Sequence, residues 1–123
     1  GCTAASLTSK AAQDPSLTPE GLRATAALYL NGADARTPAA SPIFGDLSGL
    51  PPLLVQVGTA EILLDDAIAV ARVAGQHDVA VDLAIWPHMV HVWHAFAFML
   101  PEGQAAITQA GTFLAQHLRA PGR

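Results

Sequence analysis

The sequence predicts an α/β fold built on a parallel sheet, and three observations carry that reading. Leu53-Leu54-Val55-Gln56-Val57 is a short, almost continuous apolar run after Pro51-Pro52, as suits a strand covered on both faces. Val79, Val81, Leu83 and Ile85 alternate with Ala80, Asp82 and Ala84, which predicts a half-buried strand ending near Trp86. Between them a helical pattern opens on Asp65-Asp66 and runs to about Gln76, with Leu64, Ile68, Ala71 and Ala74 or Gly75 as its apolar stripe. A strand, a helix and a strand joined by short loops imply a right-handed parallel crossover.

The remaining elements follow in order. Residues 1–17 are rich in Ala, Ser and Thr without a period and read as loop. Thr18-Pro19-Glu20 is a helix start, with a capping hydroxyl, a proline at the first helical position and an acid at the positive end of the dipole. Leu22, Ala26, Tyr29 and Leu30 share a face of that helix, and Asn31-Gly32 stops it. Residues 31–52 are turn-rich, anchored by Ile43, Phe44, Leu47 and Leu50. Pro87 to His94 reads as a loop and Ala95–Leu100 as a short helical turn. Pro101-Glu102 opens a last helix with Ile107, Ala110, Phe113 or Leu114, and Leu118 on one face. Two strands alone seldom make an independently stable sheet. Residues 1–123 are therefore expected to form part of a single domain whose other strands lie elsewhere.

Composition narrows the function. The chain of 123 residues is 51% apolar and 13% charged, about half the ~25% charge of ordinary soluble domains. Some of its surface is therefore expected to be covered. A net charge of −4 with six Lys and Arg in total excludes a phosphate-tracking surface for nucleic acid or anionic membrane. The single Cys2 excludes an internal disulfide framework and a Cys-based zinc site. It suits a reducing compartment, so a cytoplasmic location is expected. Leu83–Leu100 has no Asp, Glu, Lys or Arg and is long enough for a membrane span, but Pro87, His88, His91 and His94 interrupt it. No membrane span is expected there.

Sites in open α/β sheets form beyond the C-terminal ends of the strands. Here those ends deliver Gly58–Glu61 and Pro87–His91, a carboxylate and an imidazole at one edge. A serine hydrolase needs such a pair: the acid holds one ring nitrogen and stabilises the imidazolium, while the other nitrogen takes the nucleophile's proton. Acids and histidines are common in such loops, so spacing alone leaves rivals. Asp65 and Asp66 are alternative carboxylates, although acids at a helix start also cap free N–H groups. His88, His91 and His94, three apart, allow a metal-binding reading. That spacing favours a helix face, whereas Pro87, Val90 and Val92 favour extended loop. Otherwise His88 and His94 are polar loop residues, and Trp86, Trp93, Phe96 and Phe98 core or pocket wall.

Several separate runs carry a resemblance: Ser41-Pro42, Gly49-Leu50-Pro51-Pro52-Leu53-Leu54-Val55-Gln56-Val57-Gly58, Glu61-Ile62-Leu63-Leu64-Asp65-Asp66 and Trp86-Pro87-His88-Met89-Val90-His91-Val92-Trp93. With Tyr29-Leu30-Asn31-Gly32-Ala33-Asp34 and Met99-Leu100-Pro101-Glu102, they resemble the last third of bacterial esterases of the hormone-sensitive-lipase-like branch of the α/β-hydrolases. The resemblance implies the C-terminal strand–helix–strand–helix portion of an α/β-hydrolase parallel sheet. It also implies hydrolysis of small carboxylic esters, no cofactor, and a homodimer of the parent through Val79 to Trp86. Carried over, His91 ends the Pro-x-Met-x-His run of the catalytic histidine, and Glu61 falls on the triad acid. His88 departs from a frequent Gly, and Ala60 stands where the Glu-bearing subset often has a second acid. The family's Gly-x-Ser-x-Gly elbow and His-Gly-Gly oxyanion run are absent. In the family's order the serine precedes acid and histidine, so it is expected upstream and this chain alone is expected to be inactive. A non-catalytic, hydrolase-like binding module is the alternative.

Overall fold

Two parallel strands carry the fold of the computed structural model, which describes residues 2–118. β1 (Leu53–Gly58) pairs with β2 (Val81–Trp86) in a register that sets Leu53 opposite Val81 and Gly58 opposite Trp86. Their crossover is α3 (Leu64–Gln76), which contacts both strands. α1 (Ser6–Ser9) and α2 (Pro19–Leu30) precede them, and α4 (Pro101–His117) follows. Two compact units divide the chain, the first running to His91 and the second starting at Val92. The strand–helix–strand–helix order and the parallel pairing agree with the sequence reading.

Helix boundaries follow capping chemistry. Thr18 is extended and its Oγ1 accepts the Gly21 N–H at 3.1 Å, so α2 starts where a hydroxyl replaces a missing backbone acceptor. Asn31 closes α2 in the left-handed region, its N–H on the Ala27 carbonyl. Of the predicted stripe on α2, Leu22, Ala26 and Leu30 are half-buried while Tyr29 is exposed.

The predicted strand start at Val79 is corrected to Val81. Asp78 is left-handed (φ 59°), its N–H on Gly75 and the Val79 N–H on Ala74, both C=O acceptors near the end of α3. That is a Schellman closure. Val79 is buried, as the alternation suggested, but its backbone ends the helix instead of joining the sheet. Within β2, Val81 is half-buried while Leu83 and Ile85 are 38% and 43% exposed.

The reading of residues 1–17 as plain loop is also corrected. α1 is a single turn, too short to show a period, and it buries Ser6 and Leu7. Its place is set by hydrogen bonds to residues more than fifty positions away.

In the second unit the helical turn begins earlier than predicted, as a 3₁₀ turn over Trp93–Phe96, with further turn bonds to Leu100. The apolar stripe of α4 is corrected. Gly103 and Ala106 are buried and Ala110 and Phe113 half-buried, whereas Ile107, Leu114 and Leu118 are exposed. Small residues let the helix approach closely: a Cβ on Gly103 would stand 2.9 Å from the Trp93 carbonyl oxygen. The Trp93 indole N–H donates to the Glu102 carbonyl at 3.3 Å.

Candidate active site

Backbone hydrogen bonds continue past the end of the two strands and lock two loops together. The Thr59 N–H donates to the Trp86 carbonyl and the Ala60 N–H to the Met89 carbonyl, both at 3.0 Å. The His88 N–H returns a bond to Thr59 Oγ1 at 2.8 Å. Parallel pairing therefore carries the loop after β1 and the loop after β2 outward side by side, at the strand ends where such sheets place their sites. Gly58 permits the approach, since any Cβ there would overlap the Met89 carbonyl.

Glu61 folds back over this junction and is 4% exposed. One carboxylate oxygen, Oε2, accepts the Gly58 N–H at 3.0 Å. The other, Oε1, lies 3.4 Å from His91 Nδ1, and the His91 side chain is 31% exposed. A buried carboxylate is thus fixed by a backbone donor and aimed at an imidazole that remains accessible. The separation is slightly beyond the ~2.6–3.2 Å of a tight bond, and such contacts are often long without ligand.

The acid loop is gripped from its other side by residues that sequence reasoning passed over. Asp14 is buried; its Oδ2 accepts the Ile62 N–H at 3.0 Å, and its Oδ1 accepts the Ser16 and Leu17 N–H groups at 2.8 and 2.9 Å. Burial pushes its pKa up, but those three N–H donors and the charge of His91 outweigh it, and the carboxyl is held below its usual range. Ser6 Oγ donates to the Ile62 carbonyl at 2.7 Å and accepts the Asp65 N–H at 3.0 Å. An Asp followed by Pro and Ser is a turn signal, so a local bend at Asp14 was legible. Its reach to Ile62 was not.

Asp65 and Asp66 were expected to cap their own helix. Neither does: α3 has no side-chain cap, and its early N–H at Asp65 is taken by Ser6 Oγ. Asp65 Oδ2 instead accepts the Ser6 N–H at 2.7 Å. Asp66 borders a separate apolar cavity of about 400 Å³, lined also by Leu7, Leu22, Tyr29 and Leu63. Desolvation there, helped by the neighbouring Asp65, raises its pKa. His88 is exposed and left-handed (φ 63°), and His94 stacks on Trp93 with ring centroids 4.1 Å apart. Among the described residues no group of three His, Cys, Asp or Glu is placed to hold a metal ion, and no helix is long and apolar enough to cross a membrane.

Residues 2–95 match the sequence profile of a family described by its α/β-hydrolase fold. The chain belongs to that family. It is 49% identical over 113 residues to an acetyl-hydrolase of Streptomyces hygroscopicus, covering 92% of this chain and 38% of the relative. It is 38% identical over 112 residues to an esterase of Acinetobacter venetianus, covering 90% and 37%. Among solved structures, an esterase from the bacterial hormone-sensitive lipase family superposes with a TM-score of 0.91 at 49% identity, over 94% of this chain and 39% of that one. The esterase EstE5, soaked with p-nitrophenyl butyrate, gives 0.91 at 50% identity, over 97% and 40%. The chain thus resembles the hormone-sensitive-lipase branch and spans about two fifths of the length of these relatives.

Proposed function

We propose that this chain supplies the acid and the base of a serine carboxylic ester hydrolase, with Glu61 as triad acid and His91 as general base. The observation that carries the reading is the Glu61–His91 contact, in which a buried carboxylate with one oxygen held by the Gly58 N–H presents the other to Nδ1. With the Nδ1 proton turned toward Oε1, Nε2 is the nitrogen that takes the proton of the attacking serine hydroxyl. Serine oxygen bonds to the ester carbonyl carbon, His91 becomes imidazolium, and Glu61 stabilises that charge. The imidazolium then protonates the departing alcohol. Water repeats the cycle on the acyl-enzyme, releasing the carboxylic acid and restoring serine.

None of Ser6, Ser9, Ser16, Ser41 and Ser48 stands in a Gly-x-Ser-x-Gly setting, so the nucleophile is assigned to the rest of the parent protein. Relatives named acetyl-hydrolase and esterase support small carboxylic esters, short acyl chains among them, as the substrate class. We further propose, on the family likeness, that the parent dimerises through β2, where Leu83 and Ile85 stand exposed.

The decisive experiment is Glu61→Gln in the intact parent, assayed on p-nitrophenyl acetate. An amide favours the wrong imidazole tautomer, and kcat is expected to fall by about 10³–10⁴ with folding intact. Unchanged turnover would move the role to another carboxylate. A parent sequence without a Gly-x-Ser-x-Gly elbow would leave a binding module as the reading.

A further inference from the structure

The N-terminal segment contributes a second carboxylate to the neighbourhood of the proposed pair, and its bonding is unusual for a loop residue. Asp14 is 8% exposed, yet all its named hydrogen bonds come from backbone N–H groups and none from a cation. Two of them, from Ser16 and Leu17, bend the chain locally and orient the carboxylate. The third comes from Ile62, forty-eight residues away and adjacent to Glu61. The next peptide unit is held as well, its Ile62 carbonyl accepting Ser6 Oγ–H. The Cα of Glu61 is therefore fixed by Asp14 through the next amide, while its carboxylate is fixed by Gly58.

We propose that Asp14 is a positioning residue for the Glu61–His91 pair, setting the backbone from which Glu61 reaches Nδ1. The inference rests on the triad reading given above. The mechanism needs His91 to gain and lose a proton within one turnover. Nδ1 must stay on the Glu61 carboxylate through both transfers, and the Asp14–Ile62 bond holds the backbone that carries Glu61 in place.

The test uses the intact parent and compares Asp14→Asn, Asp14→Glu and Glu61→Gln, with active sites counted by fluorophosphonate labelling. Asn preserves the volume and the local turn but removes the charge and leaves the Ile62 N–H facing an amide. For Asp14→Asn, kcat is expected to fall about 10–100-fold with KM little changed, as small misplacements of reacting groups do. Asp14→Glu keeps the carboxylate and displaces the loop. It should lower kcat with KM little changed, and it decides the matter if Asp14→Asn does not fold. Parent-like kcat per labelled site in Asp14→Asn, with only a lower Tm, would make Asp14 a structural staple and overturn the proposal. Parent-like kcat in Asp14→Glu would overturn the positioning role. Loss of turnover in Glu61→Gln alongside either result leaves the triad reading standing, whereas full turnover in Glu61→Gln removes that reading itself.

Discussion

Gly58 and Met89 approach so closely that a Cβ on the glycine would overlap the Met89 carbonyl oxygen. The same carbonyl accepts the Ala60 N–H, so the contact is part of the junction that brings the acid loop and the histidine loop together. Gly58→Ala must therefore part backbone from backbone, which no rotamer change can relieve. In the intact parent the variant is expected to lose at least ~1–3 kcal/mol of stability. Its turnover should fall with it, because the displaced loop carries the Met89–His91 segment. Urea denaturation together with kcat on a short ester checks both; parent-like values would mean that the junction yields more easily than close-packed backbone should.

Glu61 serves two partners three and thirty residues away, Gly58 and His91. Aspartate is one methylene shorter and cannot span both from the same backbone. Glu61→Asp is expected to keep the fold and lower kcat about 10–100-fold, less severely than Glu61→Gln, since the charge remains. Steady-state kinetics on the parent, with the two variants side by side, measures the ordering. Equal losses would argue that charge matters little and reach decides.

Val92 follows His91 directly and occupies the left-handed region at φ 56°, where a β-branched residue is strained. It is half exposed, so little packing is lost on its removal. Val92→Asn, a residue that tolerates this conformation, is expected to raise stability by up to ~1 kcal/mol. His88, at φ 63°, should behave alike on replacement by Gly, with a smaller gain because Gly also loosens the unfolded chain. Thermal unfolding of the two variants tests the claim; a lowered Tm for Val92→Asn would mean that the side chain contributes more than its exposure suggests.

Asp14 links stability to pH with a definite sign. Its pKa is depressed in the folded protein. The stabilisation is therefore complete above the unfolded value of about 3.9 and is lost as pH falls through the folded value. The parent should exceed Asp14→Asn in stability at pH 6, with the gap narrowing as the solution is acidified. Denaturant titrations at a series of pH values from neutral to acid would reveal a constant gap if the carboxylate made no such contribution.

The isolated chain is expected to hydrolyse no p-nitrophenyl ester and to take no fluorophosphonate label, for want of an elbow serine. It is also expected to self-associate. β1 pairs on one side only in the described sheet, and an unpaired edge recruits other strands. Activity assays and analytical ultracentrifugation settle the two points separately. A monomer with a sharp two-state transition would refute the second.

Local chemistry was enough to place most elements from the sequence. The Thr18 cap, the Asn31 stop, the apolar run of β1 and the crossover at α3 each depend on neighbours within a few residues, and each stands where it was expected. Glu61 and His91 were nominated because parallel strands deliver their loops to one edge, with the family resemblance choosing between Glu61 and the aspartates. Tertiary structure decided what local signals could not encode. Val79 carries a strand pattern, but the helix end claimed its backbone N–H. On α4 Ile107 and Leu114 lie outside while Gly103 and Ala106 are buried, because close approach at Gly103 leaves no room for a larger side chain. Ser6 and Asp14 sit in a stretch without periodicity, and their partners, Asp65 and Ile62, lie across 59 and 48 residues of chain. A hydrogen bond needs only direction and distance in space. Such partners leave no spacing to read until the fold has brought them together.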